Sequence, residues 1–183
     1  MVILETQYLA LLRGINVGGN NIIKMIELKA CFESMGFSDV RTYIQSGNVL
    51  FKSGEKDVER LTKEIEEKLS KKFNYKSVVV VVTHEQLKDA VKKAPKGFGQ
   101  EPDKYRYDVV FLKDPLTSSQ AIKEVRGREG VDKVFAGKDV IYFSRLISDA
   151  SKSYLAKIIT LPIYKFMTIR NWNTTTKLLS MIQ

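Results

Sequence analysis

The sequence predicts an α/β chain of the α+β type in which one βαββαβ pattern occurs twice. Three observations predict it. Short apolar or β-branched runs alternate with stretches of helical period, a glycine-centred hairpin signal sits at a matching place in each half, and residues 43–51 echo residues 134–142.

In the first half, Tyr8-Leu9-Ala10-Leu11-Leu12 reads as a buried strand leaving into the turn Arg13-Gly14-Ile15-Asn16-Val17-Gly18-Gly19-Asn20-Asn21. Met25, Leu28, Phe32 and Met35 recur at helical spacing, and Gly36 is placed to end that helix in a left-handed cap. Residues 40–45 and 49–51 are strands around Ser46-Gly47-Asn48, the strongest hairpin signal in the chain. Val58, Leu61, Ile65, Leu69 and Phe73 mark a second amphipathic helix, and the valine run 78–82 is the fourth strand.

The second half repeats the order: strand 107–112, capped helix 117–126, a hairpin of 131–136 and 140–143 around Gly137-Lys138, helix 151–159 and strand 166–169. A last helix follows, with Asn173 or Thr174 as its cap and Leu178, Leu179 and Met181 on its apolar face. The βαββαβ order is that of ferredoxin-like and RNA-recognition folds with antiparallel sheets. Residues 1–83 are expected to form the first such subdomain, 84–104 a helix and linker, and 105–183 the second with its C-terminal helix.

Composition narrows the function. With 44% hydrophobic and 28% charged residues the chain is an ordinary globular one. Cys31 has no partner for an internal disulfide and His84 is the only imidazole, so no thiolate or multi-histidine metal site and no cofactor is expected. A nucleophilic triad would have to use His84, which Thr83 and Gln86 place in a capping box as a first-turn surface residue. The longest wholly apolar run, 78–82, is too short to span a bilayer, and Glu5 interrupts any secretory leader, so a cytoplasmic chain without membrane contact is expected. Oligomeric state stays open.

Topology locates a candidate site. In a βαββαβ unit the first two strands run parallel with the third antiparallel between them, so the loop after strand one and the hairpin tip lie at one end. The loop brings Arg13, Asn16, Asn20, Asn21 and Lys24, and the hairpin brings Gln45, Ser46 and Asn48. Backbone N–H groups at Gly18 and Gly19, the following helix N-terminus and the absence of any carboxylate from Arg13 to Met25 suit an anion such as phosphate. The segment is neither a Walker loop nor a dinucleotide fingerprint. The competing reading is an ordered turn whose side chains satisfy only its own backbone.

A third cluster, Thr168-Ile169-Arg170-Asn171-Trp172-Asn173-Thr174, adds Arg170, Asn171 and Asn173 to the candidate ligand-binding residues. An exposed Trp172 would stack a base or sugar, whereas a buried one anchors the closing helix. The chain carries a net charge of +9, and after Asp149 it has Lys152, Lys157, Lys165, Arg170 and Lys177 but no acid. That excess suits nucleic acid or a phosphorylated small molecule and is also an ordinary solubility device.

These same blocks carry a resemblance. Leu11-Leu12-Arg13-Gly14-Ile15-Asn16-Val17-Gly18-Gly19-Asn20-Asn21, Met25-Ile26-Glu27-Leu28-Lys29, Arg41-Thr42-Tyr43-Ile44-Gln45-Ser46-Gly47-Asn48-Val49 and residues 168–174 resemble the signatures of the bacterial domain-of-unknown-function 1697 family. The resemblance implies tandem ferredoxin-like subdomains and names neither activity nor ligand. It places the family's characteristic motifs on Arg13, Asn16, Gln45, Ser46, Asn48, Arg170, Asn171 and Asn173.

Three functions compete. The first is a binding module for a phosphate-bearing ligand or nucleic acid, although Ser46-Gly47-Asn48-Val49-Leu50-Phe51 lacks the RNA-recognition signature. The second is an enzyme acting on a phosphorylated or acidic small molecule, with Arg13 and Lys24 as anion holders and Arg170 as a clamp. Its proton acceptor would have to be Glu27, a carboxylate one turn into a helix. The third is a protein-interaction module whose motifs serve structure alone.

Overall fold

The structure, a computed structural model, describes residues 4–182. The chain divides into two compact units at the His84/Glu85 junction, and each unit has its own four-stranded sheet.

The first unit runs β1 (Thr6–Leu12), α1 (Met25–Glu33), β2 (Ser38–Tyr43), β3 (Asn48–Ser53), α2 (Val58–Phe73) and β4 (Val79–Thr83). Its sheet order is β2-β3-β1-β4, all antiparallel, so β1 lies between the hairpin strand β3 and the final strand β4. Successive β1 side chains point to opposite faces, and Tyr8, Ala10 and Leu12 share a core with Phe32, Leu61 and Ile65 from the helices. Phe51 lies at the centre of that core, its ring 4.6 Å from Phe37, 5.5 Å from Tyr8 and 5.6 Å from Phe32. Gly36 follows α1 at φ +83°, the left-handed step expected there. For α2, Asp57 accepts from the Arg60 amide at its start, and Asn74 turns the chain at φ +52° after its end.

The second unit contains β5 (Tyr105–Leu112), α4 (Ser118–Glu124), β6 (Asp132–Ala136), β7 (Val140–Leu146), β8 (Met167–Asn171) and α5 (Trp172–Met181), preceded by α3 (His84–Lys92). The order β6-β7-β5-β8 is the topology of the first sheet again, so the chain is two βαββαβ-like halves with a C-terminal helix. Thr117 and Gln120 close the capping box that opens α4. One sheet face packs Val110, Leu112, Ile141, Phe143 and Met167 against Ala121 and Ile158.

Two sequence expectations are corrected here. Residues 151–159 do not form an α-helix: the crossover is three short 3-10 segments, Ala150–Lys152, Leu155–Thr160 and Pro162–Phe166. Extended backbone at Ser153 (ψ 146°) interrupts the first, and Pro162 drives Leu161 to ψ 139°, outside the helical region. The last helix is capped by neither Asn173 nor Thr174. It begins at Trp172, and Asn171 Oδ1 accepts from the Thr174 amide at 2.8 Å, because the final strand delivers Asn171 directly to the cap position.

Between α3 and β5 the chain turns through Gly97 and Gly99, both left-handed at φ +82° and +83°, and inserts Phe98. The Phe98 ring meets Tyr107, Tyr142 and Trp172 edge-on at 4.9, 5.2 and 5.1 Å. Trp172 is thus half-buried in an aromatic cluster, and the Tyr142 hydroxyl donates to the Ala90 carbonyl at 2.7 Å. Burial, with the Asp89 charge a smaller contribution, pushes the Tyr142 phenol up to about 12.

Asp108 stands apart on the β5 face opposite Tyr107. It is buried, and its Oδ2 has no hydrogen-bond partner among the described residues. Burial raises its carboxyl pKa, against the smaller downward pull of Arg145 and Arg106. The folded chain therefore binds this proton more tightly than the unfolded chain does. The associated stability is complete below the ordinary aspartate value of about 3.9 and is lost as pH rises through the raised value. Asp108→Asn, which cannot ionise, is expected to melt at a higher temperature than wild type at pH 7 and at the same temperature near pH 3. Equal melting temperatures at both pH values would contradict the assignment. Among the described residues no helix is long and apolar enough to cross a membrane.

Candidate functional site

The loop from β1 to α1 and the bend from β2 to β3 lie side by side, as strand order requires. The Leu12 amide donates to the Gly47 carbonyl at 2.8 Å, so the end of β1 is bonded directly to the hairpin bend. On the other side the Arg13 amide donates to the Val78 carbonyl at 3.0 Å, at the entry to β4. Gly47 fits against Leu12 and Ile15, two side chains that are almost completely buried.

Asn16 holds the loop closed. Its Nδ2 donates to the carbonyls of Ile23 (3.0 Å) and Gln45 (2.9 Å), and its Oδ1 accepts from the Ile23 amide at 2.7 Å. One side chain thereby ties the two ends of the loop together and fastens both to the bend. Its backbone is left-handed at φ +53°, a conformation that asparagine tolerates and β-carbon residues in general do not. Asn21, also left-handed at φ +47°, donates from Nδ2 to the Gly14 carbonyl at 2.8 Å. In the bend, buried Asn48 donates from Nδ2 to the Tyr43 carbonyl and to Ser46 Oγ, each at 3.0 Å. These three amides shape the loop and bend from within.

The tip is different. The Asn20 amide donates to the Val17 carbonyl at 3.1 Å, and Gly18 and Gly19 stand between them at φ +58° and +78°. This is a miniature two-residue hairpin with the positive φ pair that glycine supplies. The backbone N–H groups of Gly18 and Gly19 and the side chain of Asn20 have no protein partner among the described residues, and all three residues are exposed. Lys24 occupies the N-cap of α1 without a side-chain cap bond, so the positive end of that helix opens onto the same loop. Chemically the tip offers fixed donors and one ammonium, with no acid from Arg13 through Ile26.

The remaining sequence candidates belong to the second unit. Arg170 is buried on β8, where Nη1 donates to Thr168 Oγ1 and to the Ile169 carbonyl, both at 2.9 Å. Burial lowers its guanidinium to about 10, leaving it charged at neutral pH. Asn171 is the α5 cap already described, and exposed Asn173 accepts at its carbonyl from Thr176 Oγ1 at 3.1 Å.

Sequence reasoning passed over the aliphatic surroundings of the loop. Ile22 and Ile26 are 77% and 76% exposed, and Val17 and Ile44 are exposed as well. The available signal was position: Ile26 falls off the Met25, Leu28, Phe32 stripe, and Ile22 precedes the helix. Ile44 also adopts φ +47°, a strained position for a β-branched residue, next to the bend.

The family model described as "Protein of unknown function (DUF1697)" matches residues 6–142. A solved structure of the conserved bacterial protein SP0830 from Streptococcus pneumoniae superposes with a TM-score of 0.85 at 27% identity, covering 98% of this chain and 100% of that one. No curated protein matches the chain. With most of its length matched by the family model, from β1 into β7, the chain belongs to the DUF1697 family of proteins of unknown function.

Proposed function

We propose that the protein is a binding module for a phosphate-bearing ligand, small molecule or nucleic acid, held at the tip of the β1–α1 loop. The observation that carries this reading is the pair of exposed residues Gly18 and Gly19, whose N–H groups have no protein partner among the described residues, beside an α1 N-terminus that no side chain caps. Phosphate oxygens would accept from these amides and from Asn20, with Lys24 supplying the charge. Arg13, Asn16, Asn21, Gln45, Ser46 and Asn48 belong to the frame that fixes the tip. Arg170, Asn171 and Asn173 are assigned no contact with the phosphate in this reading.

Titration of the protein with inorganic phosphate, followed by amide NMR, tests the proposal. Saturable shifts at Gly18, Gly19 and Asn20 are expected. They should weaken by about threefold in Lys24→Ala and fade with added salt, the scale of an exposed charge contact. Affinity should rise from pH 5.5 to pH 8, because inorganic phosphate gains its second charge within this range. Shifts that are absent, or unchanged in Lys24→Ala, would overturn it.

The exposed aliphatics favour a second reading, a surface for a protein partner. In that case phosphate leaves the tip unperturbed, and a change of Ile22 or Ile26 to aspartate abolishes association in solution.

A further inference from the structure

The second sheet carries a cleft on the face opposite the core of α4. Alternation places Tyr105 and Tyr107 of β5 on this face, and pairing brings Ser144 of β7 opposite Tyr107 and Lys133 of β6 opposite Ser144. Phe135, two residues beyond Lys133, lies on the same face and is 43% exposed. The segment carrying Lys96 and Phe98 completes the lining, and the open cleft has a volume of about 150 Å³.

The contents of this cleft define its guest. A volume of about 150 Å³ accepts a single six-membered ring and is well below the space a drug-sized molecule requires. Aromatic side chains line it, as in sites that hold a planar ring by stacking. Ser144, only 4% exposed as a residue, contributes its hydroxyl to the lining of the cleft. The Tyr107 hydroxyl accepts from the Glu101 amide at 3.2 Å and has its own proton still to donate. The two hydroxyls give the cleft polar edges suited to a polar ring.

Charge supplies the rest. Lys133 Nζ lies 4.9 Å from the centre of the Tyr105 ring, and Lys96 is exposed in the same lining. Glu101, the acid lining the cleft, is partnered by Lys104 at 4.0 Å and can accept from a ring N–H or amino group. A neutral aromatic guest would leave both lysines unused, whereas a ring bearing a phosphate uses them.

We infer that this cleft binds a nucleobase, with preference for the single ring of a pyrimidine, whose phosphate is held by Lys96 and Lys133. The cleft belongs to the second unit, and its reading does not rest on that of the β1–α1 loop. The same chemistry is offered by a free mononucleotide and by one residue of a single strand.

Amide and tyrosine-ring NMR of the full chain, titrated with uridine 5′-monophosphate, tests the inference. Saturable shifts are expected at Tyr105, Tyr107, Lys133, Phe135 and Ser144. Affinity should fall about tenfold in Phe135→Ala, the scale of losing one stacking partner, and about threefold in Lys133→Ala. Both positions are exposed, and Lys24→Ala, which alters only the first-unit loop, should leave the affinity unchanged. A uridine hexanucleotide that binds more tightly, with a steeper salt dependence, identifies a strand as the source; equal affinity identifies the free nucleotide. The inference is overturned if neither probe shifts these residues, if inorganic phosphate alone reproduces the shifts, or if Phe135→Ala and Lys133→Ala bind as wild type does. Loss of binding in Lys24→Ala would move the nucleotide to the loop and overturn it equally.

Discussion

Asn16→Ala is expected to destabilise the first unit by about 3 kcal/mol in urea denaturation. The side chain makes three hydrogen bonds, to the Ile23 carbonyl and amide and to the Gln45 carbonyl. Each contributes about 1 kcal/mol net, and the partly buried Ile23 groups are poorly placed to recover water as a substitute. Alanine also loses about 1 kcal/mol at φ +53°, where asparagine is tolerated. Water at the exposed Gln45 carbonyl returns part of the total.

The isosteric change Asn16→Asp sharpens the test. The carboxylate keeps the acceptor for the Ile23 amide and turns both Nδ2 donations into contacts between an anionic oxygen and a carbonyl. Asp should therefore be the worse substitution at pH 7 and should recover toward the alanine value when protonated near pH 3. Phosphate shifts at Gly18 and Gly19 should weaken in both variants, because the tip loses its frame. A loss below about 0.5 kcal/mol in Asn16→Ala, the ordinary range for a surface change, would show that the bend and loop hold position without this side chain.

Elements whose local signals agreed were legible from sequence alone. The β1 run, the α1 stripe with Gly36 behind it and the hairpin at Gly47 each combined periodicity with a glycine at the turning point, and the structure has all three. The segment 151–159 reads as one helix because its apolar residues mimic a helical stripe, while Ser153 interrupts it and the Leu161-Pro162 step follows it. Adjacency of the loop and the bend followed from strand order. What the asparagines do there did not, since a primary amide serves its own backbone and a ligand with the same two groups. Asn16 and Asn21 turn inward and Asn20 outward, and no difference of residue type marks the distinction. The second-unit cleft was hidden for another reason: Tyr105 and Tyr107 read as ordinary strand alternation, and part of the lining comes from a Gly- and Pro-containing segment with no period at all.

Gly47→Ala is expected to be more damaging still, by about 4 kcal/mol, from the addition of a single methyl group. A β-carbon built at Gly47 lies 2.8 Å from Leu12 Cβ and 3.0 Å from Ile15 Cδ1, well inside contact distance. The Ile15 terminus has some freedom to turn, but Leu12 Cβ moves only with the β1 backbone. That backbone is held by the Leu12 amide bond to the Gly47 carbonyl at 2.8 Å and by pairing with Val79 across β4. Overpacking of this kind costs about 1–3 kcal/mol, and the left-handed backbone at φ +79° adds about 1–2 kcal/mol for any residue with a β-carbon. Gly19→Ala separates the two contributions: its φ of +78° is nearly identical, and nothing lies within 4 Å of the added carbon. Its loss should stop at about 1 kcal/mol, so the difference between the variants measures how tightly the bend is seated on β1. If the two substitutions destabilise equally, the bend is not pressed against Leu12, and the rigid platform from which the loop tip presents its donors does not exist.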